Sequence, residues 1–250
     1  MSTEADVERA LCRSALFEAL AVGFRPPAPA ALPRLASADG AAGLVAAADA
    51  LAGGGLAGLV VRLRETDTRP ETLAGAYQRL FGHIARGEAP LYETEYGQDG
   101  LFLQPQELAD LGGFYGAFGL TVSPHGGERP DHMSCECEFL MFLARKEAHA
   151  LRTGDGEMLE TTRRAVRLFV RDHLARFVPA LAGRLARADA GGFYGALGAL
   201  AAAFVAAECR RLDVPLGPTA LRLRLPVEDG VPMACGTCPV GAPDAAPDGD

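Results

Sequence analysis

Residues Thr72 to Tyr96 read TLAGAYQRLFGHIARGEAPLYETEY and join an amphipathic helix to a turn and a tyrosine-rich segment. Apolar residues recur in the first half at spacings of three and four, which places them on one face of a helix. That face comprises Leu73, Ala76, Tyr77, Leu80, Phe81 and Ile84. Gly87 and Pro90 then end the helical pattern. A helix with so broad an apolar face must be buried or must bind a partner. The segment therefore predicts either a helix of the core or a helix whose exposed face binds a partner.

The spacing of apolar residues stays near 3.6 along the chain, and no segment before Leu212 alternates apolar and polar residues as a half-buried strand does. We therefore predict an all-α fold, a single globular, bundle-like domain of about nine to eleven helices over residues 1–212. A first helix is predicted to begin near Thr3 and to end near Pro26. The other well-defined predicted helices span Glu71–Ile84, Gln104–Phe118, Asp131–Leu151, Met158–Phe177 and Phe193–Leu212. Residues 213–250 are Pro-rich and are predicted to form an irregular, partly disordered tail.

Composition limits the classes of partner. The chain of 250 residues has a net charge of −8 and a pI near 5.2. Binding to nucleic acid requires clustered Lys and Arg, so an acidic chain argues against it. The N-terminus has no basic segment before an apolar core, and the uncharged run Gly191–Ala207 is too short to span a bilayer. These features predict a cytoplasmic protein without stable membrane insertion that favours cationic partners. They leave open whether it is a monomer or a homodimer.

Motifs typical of common enzymes are absent from the sequence, which has no Gly-rich phosphate loop, no HExxH motif and no G-x-S-x-G nucleophile elbow. Asp131 and His132 follow Pro130, and Asp131 is expected to cap the N-terminus of the helix that starts there. Alternatively, an exposed carboxylate and imidazole at this junction suit the binding of a basic peptide. Proton transfer in a small helical hydrolase would need a third partner that the sequence does not show. We therefore predict no enzymatic activity.

Two cysteines in the tail form the clearest metal-binding motif. Cys235 and Cys238 make a C-x-x-C in a turn with Gly and Pro, which is typical of half a zinc or iron–sulfur site or of a redox pair. Cys135 and Cys137 are two residues apart on a predicted helix, so they point to different faces and cannot share a metal ion. Three interpretations of the C-x-x-C stay open: a bound zinc or iron–sulfur group, a reversible dithiol, or no distinct role. The rest of the chain requires no cofactor.

Taken in order, four motifs resemble those of the TorD/DmsD/NarJ family of redox-enzyme maturation chaperones. Residues 77–81, YQRLF, match an aromatic-x-x-Leu-Phe helix, and residues 90–96, PLYETEY, match a Pro followed by Tyr-x-Ser/Thr-x-Tyr. Residues Arg129–His132 resemble the family's Pro-Asp-His signature. The segment His173–Leu185, HLARFVPALAGRL, resembles a His-Leu-x-x-aromatic-x-Pro helix junction. The resemblance extends over about Val7–Leu212.

The resemblance implies a non-enzymatic, all-helical cytoplasmic chaperone. It would bind the twin-arginine signal peptide, and often the apoprotein, of a molybdopterin oxidoreductase catalytic subunit until the cofactor is inserted. Such a leader is cationic at one end and apolar in its middle, so its receptor needs an apolar groove with carboxylates at the rim. The residues expected to form this groove and its rim are Tyr77, Leu80, Phe81, Pro90, Tyr92, Glu93, Glu95, Tyr96, Asp131 and His132. The alternative function is a metal- or iron–sulfur-binding redox or sensor protein that uses Cys235 and Cys238.

Overall fold

The computed structural model describes residues 3–28, 35, 38–52, 54–82, 86–98, 103–122 and 128–224. Within these residues the chain is helical, with no strand and with three isolated antiparallel bridges. The α-helices are α1 (Thr3–Gly23), α2 (Ala38–Ala52), α3 (Gly54–Arg64), α4 (Pro70–Phe81), α5 (Leu103–Ala117), α6 (Met133–Thr153), α7 (Gly156–Phe169), α8 (Ala175–Ala188) and α9 (Phe193–Leu212). The all-α prediction is confirmed.

Helices α7 and α8 are joined end to end. A π-helical turn, Val170–Leu174, follows α7 and runs directly into α8, so the nine α-helical segments of the described residues form eight continuous helices. This is one below the lowest number predicted from sequence. The sequence pattern placed a helix end at Phe177 and the first turn of a new helix at Pro179, whereas Pro179 lies inside α8.

Pro179 is tolerated in α8 because another part of the chain satisfies the backbone group that it leaves unpaired. A proline has no N–H, so the carbonyl four residues earlier, that of Ala175, loses its helical donor. The N–H of Gly217 donates to the Ala175 carbonyl oxygen at 2.9 Å. A Cβ atom on Gly217 would lie 2.6 Å from that oxygen, so only glycine allows the approach.

The centre of the domain is the packing of α1 against α6, the most extensive contact between two helices of the described residues. Helix α6 turns one continuous face inward, as its spacing predicted, and the buried members of that face are Met133, Cys137, Leu140, Ala144 and Ala148. From α1, Phe17 reaches Phe204 of α9 with ring centroids 4.7 Å apart. The packing of α1 against α6 therefore holds the N-terminal end of α6, next to Asp131 and His132, in place.

Helix α9 is apolar because it is a core helix. By length and composition it could cross a membrane, but 61% of its most apolar 18-residue window is buried inside the protein. It packs against α8 and α3 and also contacts α1. Its fully buried side chains include Leu197, Leu200 and Phe204. The burial of this window accounts for the apolar composition of α9.

The connection after α4 lies across the start of α6. The Met133 N–H donates to the Leu91 carbonyl at 2.8 Å, and the Glu93 N–H donates to the Asp131 carbonyl at 2.9 Å. Tyr92 and His132 form an antiparallel bridge between the two segments. Two of the motifs found in the sequence are thus held together by the backbone itself. Ile84, which was predicted to extend α4, lies outside the described residues.

Residues 213–224 of the predicted tail run back along this connection. Tyr96 and Leu223 form an antiparallel bridge, and the Arg224 N–H donates to the Glu95 carbonyl at 2.9 Å. The Arg224 side chain pairs with Glu107 of α5 at 2.7 Å. This part of the tail is therefore packed onto the helical domain. The remaining residues, 225–250, with Cys235 and Cys238, lie outside the described residues.

Candidate functional site

Asp131 and His132 are buried, with exposed fractions of 0% and 1%. The expectation of an exposed carboxylate and imidazole is therefore wrong. The Asp131 carboxylate accepts hydrogen bonds from the Thr94 hydroxyl at 2.7 Å and from the Arg129 guanidinium at 2.8 and 3.0 Å. The physical reason is the crossing of the 91–98 segment over the start of α6, which covers both side chains. Asp131 serves as an internal tie between the two segments.

His132, and not Asp131, is the N-cap of α6. Its Nδ1 atom accepts the Ser134 N–H at 3.2 Å, which leaves the ring proton on Nε2. Nε2 lies 3.6 Å from a carboxylate oxygen of Glu128. Burial lowers the pKa of His132 to about 4, although the nearby negative charge of Glu128 opposes this shift. At neutral pH the imidazole is therefore uncharged and acts as the hydrogen-bond acceptor that caps α6.

Tyr92 connects this buried cluster to the surface. Its hydroxyl donates to Glu128 at 2.8 Å, and its ring packs edge-on to His132 with the centroids 5.0 Å apart. The Arg129 guanidinium lies over the same ring, 4.3 Å from its centroid. Burial and the bond to Glu128 raise the pKa of Tyr92, so the hydroxyl stays a donor at neutral pH. The position of the Glu128 carboxylate is fixed by these contacts.

The predicted face of α4 lies beside the same cluster. Leu80 is fully buried, whereas Tyr77 and Phe81 are half-buried and stack edge to face at 4.7 Å. The Tyr77 hydroxyl donates to the Phe24 carbonyl at 3.4 Å, just after α1 ends. Burial, and then the negative charge of Glu128, raise the pKa of Tyr77. The rings of Tyr77 and Phe81 also pack edge-on against Tyr194 of α9, with centroids 5.9 and 5.0 Å away. The α4 face is therefore packed mainly against the end of α1 and against α9, with Glu128 within electrostatic reach of Tyr77.

The other predicted residues are mostly interior. Glu93 is buried and its carboxylate lies 2.9 Å from His173 Nδ1, while the Tyr96 hydroxyl donates to the carbonyl of the buried Pro90 at 2.8 Å. Glu95 is half-buried and its carboxylate lies 3.4 Å from the Arg86 guanidinium. Of the ten predicted residues, those with a partly exposed side chain are Tyr77, Phe81, Tyr92 and Glu95.

A pocket of about 700 Å³ opens next to this cluster, between the end of α1, the end of α5 and the first half of α6. Its apolar lining comes from Tyr115, Leu120, Val122, Phe139, Met141 and Phe142. Glu128 and Glu138 line it with carboxylates, and Arg25, which forms an ion pair with Glu138, is also part of the wall. An apolar floor and two carboxylates are therefore combined in a cavity of the size that holds ligands or several side chains of a peptide.

Sequence reasoning missed the pocket residues. Cys135, Glu138, Phe139 and Phe142 are spaced by three, one and three residues, so they share one stripe of α6. Phe139 and Phe142 were expected to widen the buried face of α6; Phe139 is buried, as expected, and Phe142 is half-buried. The sequence did contain a signal for the pocket, because a stripe that combines an acid with aromatic residues at helical spacing is unusual for a core face.

No group of three or more His, Cys, Asp or Glu side chains in the part of the chain that the structure describes is arranged to hold a metal ion. The described cysteines are Cys12, Cys135, Cys137 and Cys209, all with free thiols. Burial raises the pKa of the Cys135 thiol to about 11, so this thiol is not activated. The predicted zinc, iron–sulfur or dithiol role of Cys235 and Cys238 falls outside the described residues and stays a prediction.

A buried acid lies behind the pocket. Glu136 is fully buried, and among the described residues neither of its carboxyl oxygens has a hydrogen-bond partner. Burial, and then the negative charge of Glu93, raise its pKa well above the ordinary value. Burial therefore favours the protonated, uncharged form of Glu136.

We expect Glu136→Gln to make the stability of the protein less sensitive to pH. The folded-state pKa lies above the unfolded one, so the stability that the acid contributes is complete below about pH 4.5 and is lost as the pH rises. Glutamine has the same shape and does not ionise. The variant should gain at least about 1 kcal/mol relative to wild type between pH 5 and pH 8, measured by urea unfolding. A difference between the two proteins that is constant over this range would contradict the assignment.

The fold and the site together define an all-α domain with an acidic-rimmed apolar pocket next to a buried polar cluster. The chain belongs to the nitrate reductase delta subunit family, whose model matches residues 37–183. The resemblance to TorD/DmsD/NarJ chaperones is thereby confirmed.

Three relatives of the chain are named as chaperones. The chain is 38% identical to the selenate reductase assembly chaperone protein of Thauera selenatis, over 48% of this chain and 60% of that protein. It is 30% identical to the chaperone protein TorD of Vibrio cholerae, over 61% and 67% of the two chains. It is 34% identical to the perchlorate reductase assembly chaperone protein of Dechloromonas aromatica, over 50% and 54%. The chain thus spans about half to two thirds of the length of these relatives.

Proposed function

We infer that this protein is a cytoplasmic, non-enzymatic chaperone for the catalytic subunit of a molybdopterin oxidoreductase. It binds the twin-arginine signal peptide of that subunit, together with or in place of the apoprotein, until the cofactor has been inserted. Family membership and the chaperone names of the relatives support this class of function. The acidic-rimmed pocket at the start of α6 is the observation that supports the site most directly.

The pocket has the two properties that a twin-arginine leader requires. Its aromatic and aliphatic floor suits the apolar middle of the leader, which can enter as a helix with its apolar side down. Glu128 and Glu138 suit the two guanidinium groups, since carboxylates accept paired hydrogen bonds from arginine. The chain's net charge of −8 attracts a cationic ligand from a distance.

In this proposal the buried residues do not contact the leader themselves. They hold in place the residues that do. Asp131 and Thr94 hold Arg129, Arg129 covers the Tyr92 ring, and Tyr92 holds the Glu128 carboxylate by its hydroxyl. His132 caps α6, on which Glu138 and the apolar floor lie. In this proposal the partly exposed Tyr77, Phe81 and Tyr92 extend the binding surface from the pocket toward α4.

A pull-down with a twin-arginine preprotein tests the proposed function. We expect the immobilised chain to retain the preprotein of a molybdopterin oxidoreductase catalytic subunit, and to retain several-fold less of the same protein when both leader arginines are replaced by glutamine. A glutathione transferase fused to the same leader shows whether the leader alone is sufficient. Failure to retain the preprotein, the leader fusion and the leaderless apoprotein would contradict the proposal.

A further inference from the structure

Arg25 places a guanidinium group of the protein itself in the pocket. The residue follows the end of α1, lines the cavity and forms an ion pair with Glu138. One of the two carboxylates that would receive a cationic ligand is therefore already engaged.

The Arg25–Glu138 pair is exposed enough to exchange. The two side chains are 50% and 38% exposed, so water competes for both charges and the pair contributes little to stability. The pair Arg13–Glu147 is different, since both of its side chains are almost fully buried at 2.6 Å and it serves as a fixed structural tie between α1 and α6. An arginine of a ligand can replace Arg25 at Glu138, because the bond that forms is chemically the same as the bond that breaks.

We propose that Arg25 is a built-in competitor for Glu138, which a ligand with two adjacent guanidinium groups must displace in order to use both carboxylates of the pocket. The inference rests on the proposed function. A ligand with one arginine can pair with Glu128, while Glu138 stays occupied by Arg25. A ligand with two arginines also has a second group that displaces Arg25. The intramolecular pair thus weakens the binding of a peptide with two adjacent arginines, which must displace Arg25 from Glu138, and has little effect on a peptide with one arginine, which needs only Glu128.

The test compares Arg25→Gln with Arg145→Gln. Arg145 also pairs across the α1–α6 contact, with Glu18 at 2.7 Å, is 53% exposed and does not line the pocket. Both variants change the net charge by the same amount, so the comparison removes the general effect of charge. The probes are two labelled leader peptides, one with the arginine pair and one in which the second arginine is glutamine. Fluorescence anisotropy gives their Kd values.

We expect Arg25→Gln to bind the two-arginine peptide about three- to fivefold more tightly than Arg145→Gln does, and to change the affinity for the one-arginine peptide by less than about twofold. The preference for two arginines should therefore increase. In a Glu138→Gln background the gain should disappear, because no carboxylate is left to release. The conservative Arg25→Lys should show a smaller gain, and it provides a second variant if Arg25→Gln unfolds.

The outcomes separate the inference from the proposed function. Equal affinities of Arg25→Gln and Arg145→Gln, with a wild-type protein that binds both peptides, would overturn the role of Arg25 and leave the chaperone function intact. A gain that persists in the Glu138→Gln background would also overturn it. Absence of binding by wild type and all variants would overturn the proposed leader site itself.

Discussion

Replacing Asp131 with alanine is expected to lower the free energy of unfolding by about 2–4 kcal/mol. The carboxylate is fully buried and accepts from the Arg129 guanidinium and from both the hydroxyl and the N–H of Thr94. Removing it leaves the Thr94 groups without their acceptor and leaves Arg129 without its counter-charge. Because the Arg129 side chain is 42% exposed and can rehydrate, the loss should fall below that of a pair buried on both sides.

Urea unfolding followed by circular dichroism measures this effect. Asp172→Ala is the matched control, since Asp172 also accepts two hydrogen bonds from one arginine, Arg171, both at 2.6 Å, but on the surface. The control should change stability by less than about 1 kcal/mol. A loss of the same small size in Asp131→Ala would show that the hydrogen bonds of Asp131, which join the 91–98 segment to the start of α6, do not stabilise the fold.

The helical architecture could be predicted from sequence because it depends on local periodicity. The spacing of Met133, Cys137 and Leu140 decides which face of α6 is buried, and the structure agrees. The join between α7 and α8 could not be predicted, since Pro179 normally indicates a helix start. Its tolerance depends on Gly217, which is distant in sequence and supplies a donor to the Ala175 carbonyl.

The arrangement of the candidate site could be predicted only in part, because local motifs identify segments but do not show which distant segments cover them. The motifs around Tyr92 and Asp131 pointed to two segments that the structure does bring together through backbone hydrogen bonds. Their burial could not be predicted, because an Asp-His pair at a loop–helix junction is exposed unless another segment crosses it. Glu138 and Phe142 were not selected, since whether a helix stripe is covered or open depends on the ends of α1 and α5.

The largest effect on binding is expected from the double variant Glu128→Gln, Glu138→Gln. Each carboxylate contributes a charge-assisted hydrogen bond at a partly exposed rim, so the double variant should bind a twin-arginine leader about 10- to 100-fold more weakly. Glutamine keeps the shape of each side chain and keeps an acceptor for the Tyr92 hydroxyl, so stability should change little. Wild-type affinity should also fall with added salt, and this dependence should be weaker in the variant.

The matched control for net charge is Glu18→Gln, Glu157→Gln, which removes two negative charges away from the pocket. Glu18 pairs with Arg145 on the outer side of α6, and Glu157 lies exposed in the first turn of α7. This variant should bind the leader within about twofold of wild type, because distant surface charges are screened. A similar loss in both double variants would indicate attraction by net charge instead of recognition in the pocket.

The most direct measurement is an anisotropy titration of one labelled twin-arginine leader peptide against wild type and the Glu128→Gln, Glu138→Gln variant. We expect saturable binding to wild type and an affinity at least about tenfold lower in the variant, with both proteins equally folded by circular dichroism. Equal affinity of the two proteins for the peptide would contradict the assignment of the pocket at the start of α6 as the leader site.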